Sequence, residues 1–463
     1  MSSPLATLTL PSAEPTVRGL TRLQLFMMSF GSIVGVGWIT ILGQWLSWAG
    51  PGGSVIALVA GAGAVLLVAT NYALLARNDL FARGGEIGAV ASSLGQRAAF
   101  IVTLAMFLAT VAIVAFEAVS AGWIAVTIFP WLEGPPLYRI FGRDVHAGTI
   151  AVALVGTAVV AMLNLRPIAN TARAQNVIVS VKLGVTAVFC LGGIVAGKAE
   201  NLLPLLPQAT DGTPAFGGIL SLVATMPLWY AGFHVIAILS NERAESVKLT
   251  DVGWVMRAAI AAACGFYVCI VLAASYVVPW QTLISAPLPA ATAFRNGLSS
   301  ATFANLVLVS GLLGICSAWI ACFAASVRVL NQLRKQLSGR GVEVRSATIF
   351  ITVLAATLAL AGRAALVPIV NVAALCFGLV YLLVNLATWR HAATTGQRCV
   401  VALGAGVAGL MSGYVLVSAV AEAGWKAPEL AIVVLAVVAG AILWLIRSKH
   451  AEYHQTLDMK RVR

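Results

Sequence analysis

Charge is what this sequence has least of. Sixteen acidic and 29 basic side chains are spread over 463 residues, so charged residues make up only 10% of a chain that is 60% hydrophobic. A water-soluble fold of this length cannot hide so much apolar surface, which excludes a soluble globular protein and makes lipid the solvent. No G-x-x-x-x-G-K-[ST] phosphate loop occurs, which argues against ATP drive within the chain. The five histidines (His146, His234, His391, His450 and His454) make no group with a carboxylate or cysteine. A membrane-embedded enzyme, for instance an acyltransferase, therefore shows no machinery. The seven cysteines (Cys190, Cys264, Cys269, Cys316, Cys322, Cys376 and Cys399) lie in or beside apolar runs. They have neither metal-ligand spacing nor a loop pair suited to a disulfide, so no metal or other cofactor is expected. They read as small buried apolar residues.

What is present is a succession of apolar runs, each of about the 17–25 residues that cross a bilayer as a helix. Helices and closed barrels alone satisfy the backbone in hydrocarbon, and these runs are too long and continuous for barrel strands. The expected fold is all-α and polytopic, with about 12 transmembrane helices. They are placed at 24–48, 54–76, 98–129, 148–165, 174–197, 216–240, 254–279, 303–329, 346–362, 366–389, 399–420 and 429–447. The opening stretch MSSPLATLTLPSAEPTVRG lacks a basic start and an unbroken apolar core, so a short tail is expected there and no signal peptide. Every connection is short, and no soluble domain is expected.

The net charge of +13 would suit nucleic acid if it were clustered. Instead Arg22, Arg77, Arg97, Arg173, Arg243, Arg257, Arg328, Lys335, Arg390 and the tail from Arg447 fall on one side of the expected spans. The opposite side holds only Arg139, Arg143, Lys198, Arg295, Arg363 and Lys426. That asymmetry is a topology signal: it puts both termini in the cytoplasm and leaves no case for a nucleic-acid partner.

Two spans carry breakers near their centres. "FGSIVGVGWIT" places Gly31, Gly35 and Gly37 inside the first, each costing a helix interior about 1 kcal/mol. "VATMPLWYAGFHVIAIL" places Pro227 and Gly232 in the sixth, and proline opens the hydrogen-bond ladder. A broken span exposes backbone groups at membrane depth, which is tolerable where they line a cavity and meet a ligand. Breaks at matching places five spans apart are the pattern of transporters built from inverted repeats. Each breaker alone also reads as an ordinary packing or kink residue.

The stretch "GSIVGVGWI" resembles the G-[ST]-I-[IV]-G-x-G-I-F signature of amino acid–polyamine–organocation permeases. "NYALLARNDLFARGGEIGAVASSLG" is similar to that family's stretch after span 2, with Tyr72, Gly84, Gly85 and Glu86. "NLRPIANTARAQNVIVSVKLG" resembles its span 4–5 region, through Lys182, and "WYAGFHVIAILSNERAES" its span 6, ending near Glu242. The sequence departs from the pattern at Trp38 and in "SNERAES", which bears on substrate more than on fold. The resemblance implies a LeuT-like architecture. A tail at 1–23 precedes two inverted five-helix repeats, 24–197 and 216–389. Two further helices at 399–447 and a tail at 448–463 follow. It implies a secondary active permease for amino acids, amines or polyamines, working by proton coupling or exchange without sodium.

The resemblance also maps a substrate site. The amides of Val36 and Gly37 open the second half of helix 1, where the positive dipole end suits a carboxylate. Gly35 brings the backbone close to the ligand. The carbonyls of Ile33, Leu228 and Ala231 are placed to accept from an ammonium, and Trp229, Tyr230 and Phe233 to wall the pocket around Gly232. Lys182 looks like the family lysine whose ammonium fills the position of sodium in LeuT-like relatives. Its alternatives are proton coupling and a permanently charged bridge.

Ionisable groups inside spans are costly and functional by default. Glu117, deep in span 3, has three readings: contact with a cationic substrate, carriage of a proton, or a neutral hydrogen-bond donor. His234 titrates in the physiological range unless it is a bonded core residue. Ser32 is a pocket candidate or bonds back to its own helix. The expected partners are a small amino acid or amine, protons and the lipid bilayer; the oligomeric state is open. A transporter-like sensor stays an alternative, without a signalling domain to support it.

Overall fold

The computed structural model describes residues 19–35, 37–77, 85–140, 142–166, 168–208, 216–286, 288–423, 430–435 and 437–445. Residues 1–18 of the expected N-terminal tail, the whole expected C-terminal tail, Val36 and Gly84 lie outside them, while the last residues expected in the first tail, from Arg22, already belong to a helix.

The protein is an all-helical polytopic membrane protein. Among the described residues, eight helices are long and apolar enough to cross a bilayer, and shorter apolar helices lie at Gly217–Met226, Val344–Ala359 and Leu430–Leu445. Helix α1 (Arg22–Ile33) starts where Thr21 and Gln24 exchange capping hydrogen bonds, and it stops at Val34. Helix α2 (Gly37–Arg77) turns a corner at Gly50, whose φ of 64° only glycine adopts without strain, and Pro51 starts the helix beyond it. The first two expected spans therefore meet at one residue. Short α3 (Gly85–Leu94) leads into α4 (Gln96–Ile128), α5 (Ala147–Asn164) and α6 (Ile168–Ala196). After the break between α7 (Gly217–Trp229) and α8 (Val235–Ile238) come α9 (Leu249–Val277), short α10 (Pro289–Gly297) and α11 (Ala301–Ser338). Helices α12 (Val344–Ala359), α13 (Leu366–Trp389) and α14 (Thr395–Ala423) follow.

Three details correct the sequence reading. The connection between α4 and α5 is not a plain loop: within it β1 (Pro136–Ile140) and β2 (Arg143–His146) pair antiparallel. This hairpin leans on the turn after α12, where Tyr138 donates to the Leu360 carbonyl and Val145 packs on Gly362. Pro227 does not open the sixth span, because α7 continues through it to Trp229 and the ladder fails at Gly232. The short helices α3 and α10 were not foreseen, since ten and nine residues are too few to register as spans.

The core runs through the middle of the bundle and holds α1, α8 and the inner faces of α2, α4, α9, α11 and α13. It is not wholly apolar. Glu86, Glu117, Lys182 and His234 are all buried within it.

Candidate functional site

The two breaks lie against each other. Past α1, the Val34 amide still bonds Phe30 O at 2.9 Å and the Gly35 amide bonds Ile33 O at 3.1 Å, a tighter turn than a helix makes, and α2 begins at Gly37. In the other break Gly232 has φ 112°, and the Val235 amide, three residues on, donates to Gly232 O at 3.0 Å to start α8. A Cβ on Gly232 would fall 2.7 Å from the Ser32 carbonyl carbon, so close backbone approach and positive φ both demand glycine there.

A cavity occupies the space between the breaks. Ser32, Ile33, Gly35, Gly37, Trp229, Ala231 and Gly232 all line it, and so does Glu117 from α4. Glu117 is 3% exposed. Its Oε1 stands 2.7 Å from the point a Cβ on Gly35 would occupy, and its Oε2 has no hydrogen-bond partner among the described residues. The Trp229 ring lies 2.7 Å from the corresponding point on Gly37, edge-on to Trp45. Bulk on either glycine would therefore enter the cavity wall. The Ser32 hydroxyl is within 3.4 Å of Cys322 Sγ and, among the described residues, makes no bond back to its own helix.

Lys182 on α6 is fully buried beside this cavity. Its ammonium donates to Val34 O at 2.8 Å and to Ser317 Oγ at 3.3 Å, and it stands 5.1 Å from the centre of the Phe30 ring. It thus joins the end of α1 to α11. Ser317 Oγ is also 3.0 Å from Gly31 O, and Gln175 donates to Ser317 O at 3.0 Å, so the lysine belongs to a continuous buried polar seam.

Other expected site residues point elsewhere. Tyr230 is buried away from the cavity and donates to Leu58 O at 3.0 Å. Phe233 packs between Tyr72 and Tyr381, and His234 Nδ1 is 2.9 Å from the Tyr381 hydroxyl. None of the three lines the cavity. Along this segment Trp229, Ala231, Gly232 and Val235 face the cavity, and the residues between them turn into the surrounding packing. Leu228 lies near the end of α7, and Val36 is outside the described residues.

The sequence reading missed Tyr267 of α9. Its hydroxyl is 2.9 Å from Ile33 O and 3.1 Å from Trp229 O, linking the last carbonyls of both interrupted helices. Phe116 and Ile113 share the Glu117 side of α4, a signal visible in their i, i+3, i+4 spacing. Val370 and Phe377 from α13 close the cavity, and nothing local in their sequence marks them.

A sequence profile described as amino acid permease matches residues 20–337, a segment that contains both breaks, Glu117 and Lys182. The chain is 25% identical over 338 residues to the methylthioribose transporter of Bacillus subtilis (strain 168), covering 70% of this chain and 69% of that one. It is 24% identical over 292 residues to cationic amino acid transporter 9, chloroplastic, of Arabidopsis thaliana, covering 62% of this chain and 50% of the relative. With the branched-chain amino acid permease BcaP of Bacillus subtilis (strain 168) it shares 22% identity over 321 residues, 68% of this chain and 66% of the other.

Proposed function

Because the chain belongs to the amino acid permease family, we propose that the cavity between its two helix breaks receives an amino acid or a related amine for transport by alternating access. A transporter, and not an enzyme, is what family and relatives support. The carrying observation is the pairing of two interrupted helices across a cavity that also holds an acid with an unpartnered oxygen. Backbone amides at the start of the second half-helix suit the substrate carboxylate. Glu117 suits its ammonium, since an unpaired carboxylate in hydrocarbon is too costly to keep without a cation or a proton.

The relatives' names span a thiosugar, cationic amino acids and branched-chain amino acids. The reading therefore stays at the class of amino acids and amines. Lys182 supports a cycle without sodium, driven by protons or by exchange, because a fixed ammonium between α1 and α11 repels a second cation. The expected repeats at 24–197 and 216–389, with the later helices outside them and both termini in the cytoplasm, fit this cycle.

The test is uptake of labelled neutral and cationic amino acids into proteoliposomes, with Glu117→Gln alongside the wild type. If Glu117 meets the substrate amine, binding of a cationic substrate weakens by about 1–3 kcal/mol and a neutral analogue of equal size is little affected. Intact binding with loss of pH dependence makes Glu117 a proton carrier. Equal losses for both ligands reject amine recognition, and no uptake of any labelled amine or amino acid rejects the proposal itself.

A further inference from the structure

A second cavity lies at one end of the bundle, well removed from the helix breaks. It is an open groove of about 440 Å³ where the C-terminal end of α2 meets the N-terminal ends of α1 and α9. Arg22, Arg77 and Arg257 line it, one from each helix. Among the described residues Asp251 is the only acidic side chain in the lining, and Arg22 already holds it, Nη2 to Oδ2 at 2.9 Å. Among the described residues neither Arg77 nor Arg257 has a carboxylate partner. Three guanidiniums against one carboxylate leave a local excess of positive charge with forked donors, the geometry that suits a phosphate.

The remaining wall is apolar and faces outward. Trp254, 60% exposed, stands at the groove and heads the outward stripe of α9 that continues through Ala261, Gly265 and Leu272. On α2 the face that ends at Arg77 is half-buried at Leu67, Thr70 and Leu74 and becomes fully exposed farther down, at Gly63, Val59 and Ile56. The two helices touch at the base of the groove, where a Cβ on Gly253 would lie 2.5 Å from Ala73 Cβ. In a membrane protein such outward apolar stripes face acyl chains, and an exposed tryptophan with arginines at their end marks the headgroup level. A free anion would need the arginines alone. The stripes that converge on them suit a molecule that carries two hydrocarbon chains beneath its phosphate.

We propose that this groove is a binding site for an anionic phospholipid. Its phosphate sits among Arg22, Arg77 and Arg257, its glycerol region lies against Trp254, and its chains run down the outward faces of α2 and α9. The bound lipid would join the three helix ends where the Arg22–Asp251 pair already ties α1 to α9. This site is independent of the substrate reading, since none of its residues reaches the cavity between the breaks.

The experiment is native mass spectrometry of the full chain in detergent, titrated with dioleoylphosphatidylglycerol or dioleoylphosphatidylcholine. The wild type should retain phosphatidylglycerol in preference to phosphatidylcholine. Arg77→Gln with Arg257→Gln leaves the Arg22–Asp251 pair in place and should weaken phosphatidylglycerol retention roughly tenfold or more, while the double lysine variant keeps most of it. Equal retention by wild type and the double glutamine variant would overturn the proposal. So would displacement of the lipid by inorganic phosphate at matched concentration, which would make the groove a site for a lone anion. Brominated acyl chains supply a second measurement that needs no arginine variant. Brominated phosphatidylglycerol should quench wild-type fluorescence more than that of Trp254→Phe, and brominated phosphatidylcholine should show no such difference; equal quenching of both proteins by both lipids rejects the site.

Discussion

Gly232 is pressed against Ser32, so that a Cβ on the glycine would sit 2.7 Å from the serine hydroxyl oxygen and 2.8 Å from its carbonyl oxygen. The residue that interrupts one helix is thus seated on the last turn of the other, one residue before its end at Ile33. Its φ of 112° adds a second constraint, because L side chains rarely adopt that conformation.

Gly232→Ala should therefore strain the backbone and separate the two breaks. The expected cost is about 1–3 kcal/mol of stability together with loss of substrate binding. Gly37→Val differs: the atoms nearest to a Cβ there all belong to the Trp229 side chain, so the fold should survive gel filtration while binding is lost. Wild-type affinity in both variants, measured by ligand-induced thermal shift, would remove the cavity from the transport site.

Replacing sodium by choline should leave proteoliposome uptake unchanged, whereas collapse of the proton gradient or removal of internal exchange substrate should reduce it. The reason is the Lys182 ammonium held between Val34 and Ser317. Lys182→Met strands those buried oxygens and should cost about 1–3 kcal/mol in thermal unfolding, with loss of transport. Sodium-driven uptake without a pH gradient would contradict this assignment.

Tyr267→Phe keeps the ring and removes the one donor that reaches both Ile33 O and Trp229 O. A drop of about 1–2 kcal/mol in stability is expected, since two buried carbonyls lose a shared partner. An unchanged melting temperature would mean that water or ligand takes over the hydroxyl's place.

Glu86 lies on α3, outside the spanning helices, where it is 1% exposed and accepts a hydrogen bond from Tyr72. Burial pushes its carboxyl up from an ordinary 4.5 to about 8, with the Tyr72 bond pulling the other way. The unfolded chain ionises first, so the native state loses stability as pH climbs through that window and levels off above it. Glu86→Gln removes the slope. The variant's melting temperature should gain on the wild type between pH 5 and pH 8, and parallel curves across that range would show that the carboxyl is not held neutral.

Hydropathy made the helical membrane fold legible, because a run such as that in α4 has no other way to satisfy its backbone in lipid. The first helix break was legible for a related reason: Gly35 and Gly37 have no use in a continuous helix. The sixth span misled at Pro227, where a neighbouring packed helix tolerates one missing hydrogen bond, and the opening waited for the residue able to take positive φ. Which way a side chain faces was not legible. Trp229 and Tyr230 are adjacent aromatics, yet one walls the cavity and the other bonds Leu58 O. The sequence named Glu117 by its cost and was silent on Tyr267, since a tyrosine in an apolar run is ordinary until its hydroxyl is placed.

Just ahead of α1, Leu20 pairs with the strand-like segment beyond α8: its amide bonds Glu242 O at 2.8 Å, and its carbonyl accepts from the Ala244 amide at 2.9 Å. Arg328 of α11 grips the same Glu242 through both carboxylate oxygens, at 2.6 and 3.1 Å. The two discontinuous helices are therefore spliced outside the cavity as well as abutted within it. Any rearrangement that parted the two helix ends would have to break the Leu20 pairing, and one that carried both away from α11 would have to open the Arg328 fork on Glu242.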